Sequence, residues 1–253
     1  DIKYDEVLKG TAARTNQTAA GSVRQIRGSA ELSLGHFSLD AGQNNPATSD
    51  GDLMYGGAGN DWILGGRGDD VAFGGADGDT LIGDLGADML SGEAGRDTMW
   101  AGLASRGDYT DRGDDYLDGG EGDDWIYGSG GRNFLFSGAG ADTIYTGPTD
   151  DFVDAGSGDD QINSLGGDTV FAGDGDDVFA AYGTEAVVVH GGGGADSLSG
   201  EQAADRLYGE DGDDVLWGFE GADRLDGGTG NDRYRFAVGD GVAVAVAVGL
   251  GVA

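Results

Sequence analysis

Between about Gly56 and Arg235 an apolar residue returns at nearly every ninth position, two places after an aspartate and surrounded by glycine-rich polar sequence. The clearest units are Gly56-Gly-Ala-Gly-Asn-Asp-Trp-Ile-Leu64, Gly119-Gly-Glu-Gly-Asp-Asp-Trp-Ile-Tyr127 and Gly227-Gly-Thr-Gly-Asn-Asp-Arg-Tyr-Arg235. Each reads G-G-x-G-x-D-x-U-x, with U apolar. The eighth position supplies Ile63, Leu81, Leu90, Met99, Leu117, Ile126, Leu135, Ile144, Val153, Ile162, Phe179, Leu198, Leu207, Leu216 and Leu225. Alternate side chains of a strand face opposite ways, so a three-residue strand with one apolar residue at its centre turns that residue inward. The preceding Gly/Asp segment is turn chemistry, because glycine tolerates positive φ and aspartate bonds neighbouring backbone. Two units then make one coil with a strand on each side. The pattern predicts an all-β solenoid of about twenty nonapeptide repeats in about ten coils, with parallel strands about 4.8 Å apart and a length of roughly 45 Å.

The sixth position of this register supplies Asp61, Asp70, Asp79, Asp88, Asp97, Asp115, Asp124, Asp142, Asp151, Asp160, Asp177, Asp196, Asp205, Asp214, Asp223 and Asp232. The register breaks in several places. Ala101 to Tyr109 has the length of one unit but puts Asp108 at the inward position, which predicts a protruding loop. Ser164 to Phe171 is one residue short, with Asp168 as its ligand candidate and Val170 inward. Asn133 stands where Asp is expected, and Ala181 to Val189 places Ala186 there, so both should be weak or missing metal sites. His190 reads as an extra loop residue ahead of Gly191.

Residues 1–50 lack the period and read as a non-repeat N-terminal cap or the end of a preceding domain, with a strand-like run at Ala30 to Leu34. Residues 51–235 are the repeat region, and residues 236–253 form a low-complexity C-terminal tail containing Val242-Ala-Val-Ala-Val-Ala-Val248.

Composition decides what those aspartates do. The chain has 253 residues, 47 acidic against 14 basic side chains, a net charge of −33, 54 Gly and no Cys. Low hydrophobicity with such charge ordinarily means disorder, but apolar residues at fixed intervals argue for a fold that something else stabilises. The charge repels nucleic acid and acidic membranes and attracts cations. Without thiolates, hard oxygen ligands remain, which favour calcium or magnesium. Calcium takes six to eight oxygens in a forgiving arrangement, and glycine turns can aim several carbonyls at one point. Stacked carboxylates about 4.8 Å apart repel one another unless cations intervene, so metal binding and folding are expected to be linked.

The tandem nonapeptides resemble the repeats-in-toxin (RTX) family over about 180 of the 253 residues. The resemblance implies a right-handed parallel β-roll that holds multiple Ca²⁺ ions between successive turns, with turn carbonyls and aspartate carboxylates as ligands. The metal set it implies comprises the sixteen sixth-position aspartates and Asp168. It also implies an extracellular or cell-surface protein, exported unfolded by type I secretion. Asp1 to Gly10 shows no basic region followed by an apolar run, so no cleavable signal peptide is expected there, and no apolar stretch is long enough to span a bilayer.

Catalysis finds little support. The two histidines, His36 and His190, occur without H-E-x-x-H, and there is no G-x-S-x-G. The carboxylates that a glycosidase pair would need are already accounted for by the repeat. Trp62, Trp100, Trp125, Trp217, Phe73, Tyr116, Tyr127, Phe134, Phe136, Tyr145, Phe152, Phe171 and Tyr208 fall on outward strand positions. They either pack along neighbouring strands or mark a contact surface for another protein or a glycan. The expectation is a secreted calcium-binding structural, surface-assembly or adhesion module. The alternative is the C-terminal secretion and folding module of a larger toxin or hydrolase.

Overall fold

The computed structural model describes residues 24–27, 37–40, 51–103, 111–236 and 244–246. Among these residues the secondary structure is entirely β. Alternate strands sort into two sheets, one of 12 and one of 11 strands, in which every pairing is parallel. Between Asp52 and Arg235 the chain winds through ten coils, each adding one strand to either sheet. The expected solenoid is therefore present. Its sheets extend into the flanking segments: Arg24–Arg27 and Phe37–Asp40 pair with the first coil, and Val244–Val246 pairs with Arg224–Asp226. The Ala30 to Leu34 run lies outside the described residues.

The core is a double file of single residues. Met54, Ala72, Leu90, Leu117, Leu135, Val153, Val170, Val189, Leu207 and Leu225 line the first sheet, and Ile63, Leu81, Met99, Ile126, Ile144, Ile162, Phe179, Leu198 and Leu216 line the second; all are buried. Equivalent residues lie opposite one another across the parallel pairs, as Leu90, Leu117, Leu135 and Val153 do. The inward register read from the sequence holds at each of its fifteen named positions and at Val170. With one residue per strand, a single Leu→Ala change in the file should cost about 2–5 kcal/mol.

Most first-sheet strands are longer than the expected three residues, as are Asp61–Arg67 and Thr80–Leu85 at the start of the second sheet. Tyr116–Glu121, Phe134–Ala139 and Phe152–Ser157 each continue into the following turn, where Gly120, Gly138 and Gly156 pair coil to coil. The turns leaving the first sheet are so alike that their backbones keep hydrogen bonding as they stack: Gly122, Gly140 and Gly158 donate to the carbonyls of Ala139, Ser157 and Asp174. Second-sheet strands such as Thr98–Trp100, Trp125–Tyr127 and Thr143–Tyr145 stop at three residues.

This contrast divides the molecule. The first edge carries the turns from first to second sheet, at 56–61, 74–79, 92–97, 119–124, 137–142, 155–160, 172–177, 191–196, 209–214 and 227–232, each of six residues ending in Asp. The second edge carries the return turns, and every variation in turn length falls there. Its turns are 65–70, 83–88, 101–115, 128–133, 146–151, 164–168, 181–187, 200–205 and 218–223. The extra unit near 101–109 adds no strand: Met89–Ala94 pairs directly with Tyr116–Glu121, and Thr98–Trp100 with Trp125–Tyr127. Asp108 itself lies outside the described residues.

Candidate calcium centres

The first glycine of each regular turn makes room for the site. A Cβ placed on Gly56 would lie 2.6 Å from Oδ2 of Asp61 in the same turn and 2.5 Å from the carbonyl oxygen of Gly74 in the next coil. At Gly119 the same two distances, to Asp124 Oδ2 and the Ser137 carbonyl, are both 2.5 Å. At these positions a side chain would push apart a carboxylate and a carbonyl from successive coils, and where the first residue is not glycine on this edge it is the small Ser137, Ala155 or Ala172. The second and fourth positions need the left-handed region, as at Gly57 (φ 110°) and Gly59 (φ 98°).

The sixth-position aspartates turn inward beneath these turns. Asp70, Asp79, Asp88, Asp97, Asp115, Asp124, Asp142, Asp151, Asp160, Asp168, Asp177, Asp196, Asp205, Asp214 and Asp223 are buried, whereas Asp61 and Asp232, in the end coils, are half-buried. Each carboxylate reaches back one coil. On the first edge the backbone N–H of Asp61 donates to Asp79 Oδ1 at 2.7 Å, Asp79 to Asp97 at 2.6 Å, Asp97 to Asp124 at 2.8 Å and Asp124 to Asp142 at 2.7 Å. The chain of bonds continues through Asp160, Asp177, Asp196 and Asp214 to Asp232 without a gap. On the second edge Asp52, Asp70 and Asp88 donate in the same way to Asp70, Asp88 and Asp115.

The second oxygen is left over. Oδ2 of Asp61, Asp79, Asp97, Asp124, Asp160, Asp177, Asp196 and Asp214 on the first edge, and of Asp70, Asp88 and Asp115 on the second, is buried with no hydrogen-bond partner. A buried acceptor without a donor is costly, and more so when charged. Burial accordingly pushes these carboxyls up despite the backbone amide each accepts: Asp70, Asp79, Asp124 and Asp196 to about 7, Asp88 and Asp160 to about 8. Neighbouring aspartates raise them further. A file of buried carboxylate oxygens facing main-chain carbonyls is an oxygen-only donor set that suits a hard divalent cation.

Among the described residues no three His, Cys, Asp or Glu side chains converge on one point. Main-chain carbonyls would therefore have to make up much of each shell, with one or two carboxylates supplying charge. The residues present fit calcium on those terms: the ion would be held by the sixth-position carboxylates and turn carbonyls, and would neutralise charge that the thin core leaves uncompensated.

Part of the second edge is different. Asn133 takes the ladder position, accepting from Asp115 N–H at 3.0 Å, while its Nδ2 donates to the Gly128 carbonyl at 2.6 Å and to those of Gly130 and Gly131 at 3.4 Å. Asp151, Asp168 and Asp205 keep the ladder bond, but their Oδ2 atoms have donors from the chain: Gly147 N–H, the Thr146 and Ser164 hydroxyls, and Glu201 N–H. The register at 181–187 needs correction: Val187, not Ala186, takes the ladder place, its N–H donating to Asp205 Oδ1 at 3.0 Å, while Ala186 is exposed. The extra residue sits in that turn, so His190 is not a loop residue. It is the outward third residue of the strand Val188–Gly193, stacked between Phe171 and Tyr208 at 4.8 Å from each, with Nδ1 2.7 Å from Glu210.

The outward aromatics stack along the sheets. Tyr127 lies between Trp100, at 3.7 Å, and Tyr145, at 5.2 Å, and is buried by them. Phe134, Phe152 and Phe171 form a similar column on the first sheet.

Fold and donor set together define a calcium-binding β-solenoid, a structural module. The chain belongs to the RTX calcium-binding nonapeptide repeat family, whose profile matches residues 47–81, 73–104, 109–144, 127–162, 164–183, 183–205 and 199–234. That family binds calcium, as the resemblance of the repeats implied. A comparison with curated proteins gave no match. No helix among the described residues is long and apolar enough to cross a membrane.

Proposed function

We propose that this chain folds on meeting extracellular calcium and then serves as a structural, surface-assembly or adhesion module outside the cell. The supporting observation is the unbroken first-edge file of aspartates, each with one oxygen bonded to the preceding coil and, at most positions, the other buried without a donor. Extracellular modules bind calcium with dissociation constants of about 10⁻⁴ to 10⁻³ M, so such sites empty in a cytosol kept far below that level and fill outside. Empty, they place repelling carboxylates in a fold whose core holds at most one large apolar residue per strand. The chain is then export-competent while unfolded and becomes ordered where calcium is plentiful, which suits type I secretion. All seventeen aspartates in the ladder are candidate ligands, with Asp151, Asp168 and Asp205 the weakest because chain donors already occupy their second oxygens. Residues 1–50 act as a non-repeat N-terminal cap or as the end of a preceding domain; the short strands Arg24–Arg27 and Phe37–Asp40, which continue the two sheets at that end, are compatible with a cap.

Far-UV circular dichroism of the chain in chelator and in millimolar calcium tests this reading. Coil in chelator and β structure in calcium are expected, with magnesium at the same concentration much less effective. Equal β content in both would overturn it.

A further inference from the structure

The orphaned carboxylate oxygens stop at one stretch of the second edge. From Gly128 to Asp205 five successive turns contain none, and in the first four, 128–133, 146–151, 164–168 and 181–187, the turn is also rebuilt; the fifth, 200–205, keeps glycine and aspartate at the usual places, with Asp205 Oδ2 accepting from Glu201 N–H at 3.2 Å. In the first of them the Asn133 amide donates to three carbonyls of its own turn, the role a cation plays in a metal-filled turn. Its orientation is fixed, because Oδ1 must face the Asp115 N–H. In the next two turns the first position carries Thr146 and Ser164 instead of glycine, and both hydroxyls donate to Asp168 Oδ2 at 2.6 Å. Thr146 Oγ1 in turn accepts from Leu165 N–H at 3.1 Å, and the Thr149 hydroxyl donates to the Gly131 carbonyl, so each of these turns is tied to its neighbour. In the fourth, Val187 puts a buried apolar side chain where a ligand would be.

The coils bearing these turns also carry the densest aromatic packing. The Trp100, Tyr127 and Tyr145 stack covers the second sheet where it enters turns 128–133 and 146–151, and Phe134, Phe152 and Phe171 run down the first sheet. Stacked aromatic pairs add about 0.5–1.5 kcal/mol each beyond area burial, and that contribution does not depend on metal.

We propose that the second edge from Gly128 to Val187 holds no calcium and forms a metal-independent clasp, ordered before the ions arrive, on which the flanking coils are built. The proposal rests on the reading that the orphaned aspartates elsewhere are the calcium ligands. The chain thereby separates two tasks along one coil: the first edge senses the cation, and the second keeps a template in place. Nearest-neighbour stacking makes such a template effective, since a solenoid extends from any formed coil.

Hydrogen exchange with mass-spectrometric readout on the full chain, through a calcium titration starting in chelator, tests it. Clasp amides should already be protected in chelator and change by less than about tenfold on calcium addition, whereas amides of turns 56–61 and 92–97 should slow by about a hundredfold or more. Clasp amides that gain protection at the same calcium concentration as those two turns would overturn the proposal. Asn133→Asp replaces the amide by a carboxylate and should make turn 128–133 calcium-dependent; unchanged protection of that turn in chelator would also count against it. Asp97→Asn separates the two readings. If it leaves the titration of turn 92–97 unmoved, the ligand assignment fails; if it moves that titration while the clasp still requires calcium, only the clasp fails.

Discussion

The two edges of the roll are built from the same repeat and have diverged. On the first edge ten turns of equal length stack so regularly that strand pairing runs into them, and the aspartate ladder passes from Asp61 to Asp232 without interruption. On the second edge turn length varies, Asn133 and Val187 replace aspartate, and hydroxyl and amide donors reach the oxygens that stay unpartnered on the first edge. A parallel ladder needs identical geometry in neighbouring coils to keep its bonds in step. Uniform turns provide that, and it is also what lets successive carboxylates and carbonyls converge. A turn stabilised by its own side chains is freed from both demands, and it can change length.

The largest expected difference between the edges is in calcium dependence. Asp160→Ala removes a carboxylate whose second oxygen has no donor, and should raise the calcium midpoint of folding by about tenfold or more, since one lost charged ligand costs at least about 1.4 kcal/mol. Asp168→Ala should leave that midpoint nearly unchanged while lowering stability in saturating calcium by about 1–3 kcal/mol, because Thr146 and Ser164 lose their acceptor. Calcium titration followed by Trp fluorescence, with urea unfolding in excess calcium, measures both. Equal midpoints for the two variants would erase the distinction.

Next in size is a pH effect confined to the calcium-free chain. Burial raises the folded-state value of Asp79 to about 7 and of Asp88 and Asp160 to about 8, from 3.8. For an acid whose folded value is raised, the folded state binds more protons, so its contribution is fully present below 3.8 and is lost as pH rises through about 7 to 8. In chelator the β signal should therefore be stronger at pH 5 than at pH 8, and calcium should matter most at pH 8. A chelator signal that grows with pH would contradict the burial of these groups.

Backbone strain gives a smaller contrast. Gly57 sits at φ 110°, and a methyl group placed on its Cα would meet only open space, so Gly57→Ala tests conformation alone and should cost about 1–2 kcal/mol. Ser129, the corresponding second-edge residue, already sits at φ 60°, and Ser129→Gly should gain up to about 1 kcal/mol by thermal unfolding in calcium. The smallest effect belongs to Asp150, exposed and 3.8 Å from Arg132. Asp150→Ala should change stability by less than about 0.5 kcal/mol and leave the calcium midpoint where it is, unlike Asp124→Ala.

Much of this could be read from the residues. The inward file and the ladder follow from one period, because a coil that contacts only its neighbours must repeat its core and its turn together, and Ile63 through Leu225 and Asp61 through Asp232 repeat at that interval. Asn133 was legible as a defect for the same reason. The register at 181–187 was not, since Ala186 and Val187 are both small and apolar and no aspartate marks the ladder, which also misplaced His190. The lengthening of first-sheet strands depends on how neighbouring turns superpose, which a single unit does not reveal. The Thr146 and Ser164 donors left a signal that could have been used: hydroxyl residues at the glycine position of two successive turns of the second edge, whereas the first edge has one such residue, Ser137.

The ladder bonds all run one way: each carboxylate grips the amide of the coil before it. Through this ladder a coil is completed by its successor, while the exposed fifth-position aspartates run the other way, Asp69 and Asp123 accepting from Ala87 and Ala141 of the following coil. The stack therefore has unlike ends, the C-terminal one presenting ladder amides and the N-terminal one ladder carboxylates. The two directions of growth differ in which partner supplies the buried grip: a newly arrived C-terminal coil brings the carboxylates that hold the one beneath it, whereas a coil added at the N-terminal end brings the amides and is held by carboxylates already in place.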